Sequence, residues 1–152
     1  DFAITHSALA DGLNAFVGYS TIEQANGSYD GDQIEKVIGA TYAISNFTVG
    51  YQKSWSSRQT TSASGTSYYE NDAYGVSFAI NDDLSISYGV HKSDRVLNDG
   101  TSVQAEAESI QLSYSMGGAS LKVAETSVDD ASYVSGTAND NDGTTIALTL
   151  AF

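Results

Sequence analysis

Large apolar and small polar residues take turns along this chain with a period of two, almost from end to end. Tyr74, Val76, Phe78 and Ile80 alternate with Ala73, Gly75, Ser77 and Ala79, and Leu84, Ile86, Tyr88 and Val90 with Ser85, Ser87, Gly89 and His91. Ile110, Leu112, Tyr114 and Met116 repeat the pattern, as do Ile146, Leu148, Leu150 and Phe152. Side chains of an extended backbone point alternately to opposite faces. Each run is therefore a strand with one greasy face and one small or polar face. Looser versions over 2–9, 13–22, 34–44, 47–58 and 120–128 bring the expected number of strands to nine, with no convincing helix.

The connections fall into two kinds that take turns. Short ones are Ala10-Asp11-Gly12, Ser45-Asn46, Asn81-Asp82-Asp83 and Gly117-Gly118, residues suited to tight hairpins. Long ones over 23–33, 59–70, 96–103 and 130–143 are rich in Ser, Thr, Asn, Asp and Gly. The short turns recur about every 35 residues, so the repeat is an up-down hairpin, short-turned at one end and long-looped at the other.

That layout separates two all-β architectures. A soluble sandwich buries its apolar faces between two sheets and connects strands as Greek keys, with no strict alternation of connections. An up-and-down barrel in an outer membrane has short turns on one side and long loops on the other. Face composition favours the barrel. The small-residue face carries Gly39, Thr48, Gly50, Gly75, Ser85, Ser87, Gly89, Ser113, Thr145 and Thr149. A solvent-exposed face normally shows Lys and Glu at intervals, and mid-strand charges here are few. A water-filled lumen lined by small polar groups, with lipid outside, suits these residues.

Composition agrees by exclusion. No 18-residue apolar stretch exists, but barrel strands alternate and escape hydropathy averaging. The 152 residues carry 19 Asp+Glu against 6 Lys+Arg and no cysteine. A formal charge of -13 excludes phosphate-backbone recognition, so no nucleic-acid partner is expected. Without cysteine there is no disulfide, zinc-thiolate or catalytic thiol. The 41% of hydrophobic residues are too many for a solvated acidic coil. The chain opens at Asp1-Phe2 with no leader pattern, so any export signal was removed or precedes it.

The ending Thr145-Ile-Ala-Leu-Thr-Leu-Ala-Phe152 resembles the C-terminal strand of bacterial outer-membrane barrels. In that family a terminal Phe, preceded by apolar residues at alternate positions, is the signal for assembly. Phe152, Leu150, Leu148 and Ile146 match the spacing. Ile38-Gly-Ala-Thr-Tyr-Ala-Ile44 and Ser85-Ile-Ser-Tyr-Gly-Val90 resemble strands of general-diffusion porins of the alphaproteobacterial type. The likeness implies a homotrimeric outer-membrane channel for small hydrophilic solutes and ions, with lipid and lipopolysaccharide as neighbours and no cofactor.

Strand arithmetic limits this expectation. Single-chain bacterial barrels close with an even number of strands, both ends in the periplasm. Nine is odd, and counting back from Phe152 leaves Asp1 on the long-loop side. A barrel of about 16 strands at about 35 residues per hairpin needs about 280 residues. The chain therefore reads as the C-terminal part, some nine strands, of one such barrel, whether as a fragment or as a product cut in a loop. If one strand is split or missed, eight or ten could close as a small autonomous barrel.

Parity puts Arg58, Arg95, Lys122, His91, Gln52 and Gln111 on the lumen face. Porins of this family set a basic wall against acidic groups at the constriction. The resemblance thus makes Arg58, Arg95 and Lys122 candidates for part of that wall. The competing reading has Arg58 and Arg95 at strand ends, solvating the rim. Two charges resist the scheme: Lys53 is in phase with Val49, Tyr51 and Trp55, and Glu125 with Leu121 and Val123. A lysine at the lipid midplane costs about 2–4 kcal/mol. A bulge or snorkelling would relieve Lys53, and a register shift or a neighbouring subunit would relieve Glu125. Aromatic residues form partial belts, Tyr42, Phe47, Phe78, Tyr114 and Phe152 near the short turns and Tyr19, Trp55 and Tyr74 further up, with Tyr51 and Tyr88 between them.

Carboxylates gather in the long connections and their shoulders. Asp140-Asn141-Asp142-Gly143 superficially resembles a calcium loop but lacks the downstream Glu of an EF-hand. Ca2+ at Asp140 and Asp142, bridging to lipopolysaccharide, is the functional reading, and solvated loops are the plain one. The alternative to a porin is a small closed barrel displaying these acidic loops as an adhesin or a calcium- or lipopolysaccharide-binding surface. A soluble calcium-binding sandwich is a third. His6 and His91 sit in no nucleophile-elbow or zinc motif, so no enzyme is expected.

Overall fold

The computed structural model describes residues 1–24 and 27–150. Its strands are β1 (Phe2–His6), β2 (Leu13–Ile22), β3 (Gln33–Ile44), β4 (Phe47–Ser57), β5 (Thr66–Ala79), β6 (Leu84–Leu97), β7 (Ser102–Met116), β8 (Ala119–Asp129) and β9 (Asn141–Leu150). Each pairs antiparallel with the next in chain order, so the nine form one up-and-down sheet. The sheet is not closed: β1 and β9 are its two edges. Helical structure among the described residues is two three-residue 3-10 turns, Ala131–Tyr133 and Thr137–Asn139.

Strand number and order agree with the periodicity, but one connection does not. The stretch 96–103 reads as a long loop, yet β6 runs to Leu97 and β7 starts at Ser102. Four residues close the hairpin. Gly100 N–H donates to Leu97 O at 3.0 Å, Leu97 N–H to Thr101 O at 2.8 Å, and Thr101 N–H to the Asp99 carboxylate at 2.8 Å. Gly100 takes a left-handed φ of 86°, open to glycine at no steric cost. Asp99-Gly100 is thus a hairpin signal hidden in a polar run. β5 also begins earlier than expected, at Thr66, and β9 at Asn141, so three long connections remain, over 23–32, 58–65 and 130–140.

Directly opposed residues share a face, and the register sorts every strand position. One face holds Ile38, Tyr42, Val49, Tyr51, Tyr74, Val76, Tyr88, Ile110, Leu112, Leu121, Ile146 and Leu148. Nothing covers it. Ile146 is 70% exposed and Leu148 65%, and Val90 is the one buried hydrophobic residue among those described. A sandwich would place a second sheet here. The contiguous apolar surface far exceeds the scattered exposed hydrophobes normal for a soluble monomer.

The border between this surface and charge runs oblique to the strands. We take the cross-strand row Ile44–Phe47–Phe78–Ile86–Leu112–Val123–Ile146 as baseline and count rows away from the short turns. The first charge is Lys36, four rows up, on β3. It is Lys53, Asp72 and Lys92, three rows up, on β4 to β6, Glu108, two rows up, on β7, and Glu125, one row up, on β8. Three rows are six residues, about 20 Å along a strand, and five strand steps are about 24 Å across. The border therefore slants at roughly 40° to the hydrogen-bonding direction. The short turns slant with it, from the row of Leu13 on β2 down to the row of Ala119 on β8. Between the two parallel edges lies an apolar stripe of nearly constant height.

Candidate functional site: the small-residue face and its rim

The opposite face is built from side chains too small or polar to fill a core. A hollow of about 650 Å³ lies along it, bordered by Thr48, Gln52, Gly75, His91, Ser109 and Thr126. Phe16 lies over Gly39, its cross-strand partner, so closely that a Cβ there would sit 2.4 Å from the ring. Of the six residues expected on the lumen side, register puts Gln52, His91, Arg95, Gln111 and Lys122 on this face, and Arg58, just past the end of β4, contacts Gln33 and Tyr69 there. They are spread along it rather than gathered. Gln52 and His91 flank Ala73 in one row, while Gln111 and Lys122 lie nearer the short turns, facing Ala124 and Ser113.

Arg58 and Arg95 stand at the long-loop rim, where a connected cluster forms. Glu35, Ser56, Tyr69 and Arg95 make one row across β3–β6. The Ser56 hydroxyl donates to Glu35 Oε1 at 3.0 Å, and the Gln33 amide donates to the same oxygen. Gln33 Oε1 in turn accepts from Arg58 Nη1 at 3.0 Å. The 130–140 connection lays Tyr133 onto the row. The Tyr133 hydroxyl and Ser93 Oγ are 2.7 Å apart, and its carbonyl accepts from Arg95 Nη2 at 3.1 Å. Ser93, only 5% exposed, also donates to Asn71 Oδ1 at 2.5 Å. The segment bends through left-handed φ at Asp130 (50°), Ser132 (61°) and Tyr133 (58°), a conformation non-glycine residues hold only when surroundings impose it.

The rim reading of the arginines is correct in position, and in environment it holds for the exposed Arg58 but not for Arg95. Arg95 is half-buried, its guanidinium 5.2 Å from the centroid of the Tyr133 ring, and its Nε is shut from water without a partner. Tyr69, Tyr133, Gln33 and Ser93 are the residues that sequence reading missed. The available signal was a lone aromatic in a run of Ser, Asn and Asp, which is costly to leave in water and so marks a point of attachment.

Two of the three lysines on the apolar face are paired with carboxylates across strands. No bulge or register shift occurs at Lys53, which faces Ile38 and Asp72 in a regular ladder. Its Nζ is instead 2.5 Å from Glu70 Oε1 and 3.1 Å from Asp72 Oδ2, and 5.5 Å from the centroid of the Trp55 ring. Trp55 Nε1 donates to Glu70 Oε2 at 3.0 Å, and the Tyr51 hydroxyl donates to Asp72. Lys92 pairs with Glu106 at 3.1 Å. Glu125 keeps its register and accepts from Thr144 Oγ1 at 2.7 Å. Glu70 and Asp72, which read as loop shoulders, are strand residues here. With Asp94, Glu106, Glu108, Glu125, Asp129 and Asp142 they place their carboxylates on the apolar side.

The Asp140–Asp142 pair is split by the start of β9. Asp142 is a strand residue opposite Ser127, and Asp140 Oδ1 accepts the Asp130 N–H at 3.1 Å. Among the described residues no three His, Cys, Asp or Glu side chains gather as a metal site. Ile146, Leu148 and Leu150 stand on the apolar face of β9, and Phe152 lies outside the described residues. Compared with models of known families, with curated proteins and with solved structures, the chain matches none.

Proposed function

We propose that this chain is part of the wall of an outer-membrane porin, a homotrimeric water-filled channel through which small hydrophilic solutes and ions diffuse passively. The slanted apolar stripe carries the reading. Strands of membrane barrels tilt by about 35–45° from the barrel axis, so a horizontal lipid layer must meet a slanted stripe. The slant of roughly 40°, read from register and charge alone, falls in that range. A stripe of three to four rows is about 20 Å high once tilted, near the roughly 25 Å of a barrel's apolar band. The opposite face carries mostly small side chains, Thr48, Gly75 and Ser109 among them, and an open hollow runs along it. Transport through such a wall needs no cofactor or covalent step, because pore width and wall charge do the selecting.

The test is single-channel conductance in planar bilayers with protein extracted in mild detergent. Large ohmic steps arriving in threes are expected. A folded, detergent-dependent protein that gives no steps overturns the channel reading.

A further inference from the structure

The chain is acidic, yet its small-residue face is not. Of the six cations, Lys36, Lys53 and Lys92 stand on the apolar side, where Lys53 and Lys92 are paired with carboxylates. Arg58, Arg95 and Lys122 stand on the small-residue face, and none has an ion pair among the described residues. The strands put one carboxylate there, Glu35, whose Oε1 is taken by Ser56 and Gln33. At the rim two guanidiniums bracket a pair of rings. Arg58 lies 6.0 Å from the Tyr69 centroid, Tyr69 and Tyr133 are 5.4 Å apart, and Arg95 lies 5.2 Å from Tyr133. In the 130–140 connection, Asp130 accepts Gly136 N–H at 2.8 Å and Asp140 accepts Asp130 N–H, while Asp30 of the 23–32 connection bonds through its backbone to Gln59, next to Arg58.

A guanidinium offers five N–H donors in a planar fork that matches oxyanions. Arg95 uses Nη2 on a carbonyl, its Nε is enclosed, and neither Arg95 nor Arg58 has a carboxylate partner among the described residues to compete with an incoming anion. Tyr133 holds the Arg95 fork through its ring and its carbonyl, and Gln33 takes one nitrogen of the exposed Arg58. We infer that Arg58 and Arg95, spaced by Tyr69 and Tyr133, form a station for small oxyanions, and that phosphate- or carboxylate-bearing solutes are the favoured permeants. The permeation half of this inference rests on the channel reading; the binding half does not.

The experiment reads the two separately. In detergent micelles, the 15N–1H resonance of Arg95 Nε is followed while inorganic phosphate is added. A saturable shift in the millimolar range is expected, weakened severalfold in Arg58→Gln, which keeps the observed resonance but removes the second fork, with an unchanged circular dichroism spectrum showing that the variant folds. In bilayers, chloride is expected to permeate severalfold better than potassium, and R58Q/R95Q to reduce that ratio toward one. A phosphate shift without channel current keeps the station and removes the channel. Current that favours potassium, with no phosphate shift, keeps the channel and overturns the station.

Discussion

At the scale of single residues, two of the three lysines set into the upper border of the apolar face, Lys53 and Lys92, have a carboxylate one strand away. Lys53 is the clearest case. Lys53→Met leaves Glu70 and Asp72 on the apolar face without their cation, a worse state than the apolar triple variant K53M/E70Q/D72N. The single variant is expected to unfold at lower denaturant than wild type in lipid vesicles, and the triple to recover much of the loss. Equal midpoints for all three would show that the pairing carries no weight. Asp99 gives a pH-dependent counterpart outside the strands. The backbone N–H and hydroxyl of Thr101 hold its carboxyl below the ordinary value of 3.8. The charge then stabilises the turn above about pH 4, and this contribution fades as pH falls through the lower folded pKa. The Thr101 amide resonance should follow that low titration, and Asp99→Asn should abolish the step.

Among elements, the turns decide how precisely the strands stack. Gly12 and Gly100 both have left-handed φ, 77° and 86°, but differ in surroundings. A Cβ on Gly12 would meet Ala43 O at 2.0 Å, whereas one on Gly100 would meet nothing within 4 Å. Gly100→Ala thus carries the left-handed penalty alone, about 1 kcal/mol. Gly12→Ala adds a backbone clash, for about 1–3 kcal/mol or more in total. Urea titration followed by Trp55 fluorescence should rank G12A well below G100A, and the opposite order would contradict the turn geometry. The same contrast explains a misread element. Composition could not separate a solvated loop at 96–103 from a four-residue hairpin, because both use Asn, Asp, Gly and Ser. The deciding bonds, Gly100 to Leu97 and Thr101 to Asp99, depend on backbone direction.

For the whole molecule, the slant of the stripe predicts how the sheet sits in lipid. Polarised infrared spectroscopy of protein in oriented bilayers should give a mean strand tilt near 40° from the membrane normal. Strands lying flat in the membrane plane, or standing upright, would break the link between stripe and lipid layer. Neither edge strand has a second partner among the described residues. β9 in particular offers ten residues with one row of backbone groups unpaired, a state that native sheets avoid by covering or closing.

Strand number, strand order and the sorting of residues to two faces were determined by sequence alone. They follow from a period of two and from turn residues, which are properties of neighbours along the chain. The shared face of Arg58, Arg95, Lys122, His91, Gln52 and Gln111 was legible for the same reason. What tertiary structure decided was every relation across strands. The pairing of Lys53 with Glu70 and Asp72 depends on which residue register sets opposite. The slant of the stripe depends on the offsets of six successive pairings. Tyr133 reaches Arg95 because the 130–140 segment folds back over residues nearly forty positions earlier. Register shifts of one step would reverse the facing of each of these side chains, and periodicity within one strand is blind to that step.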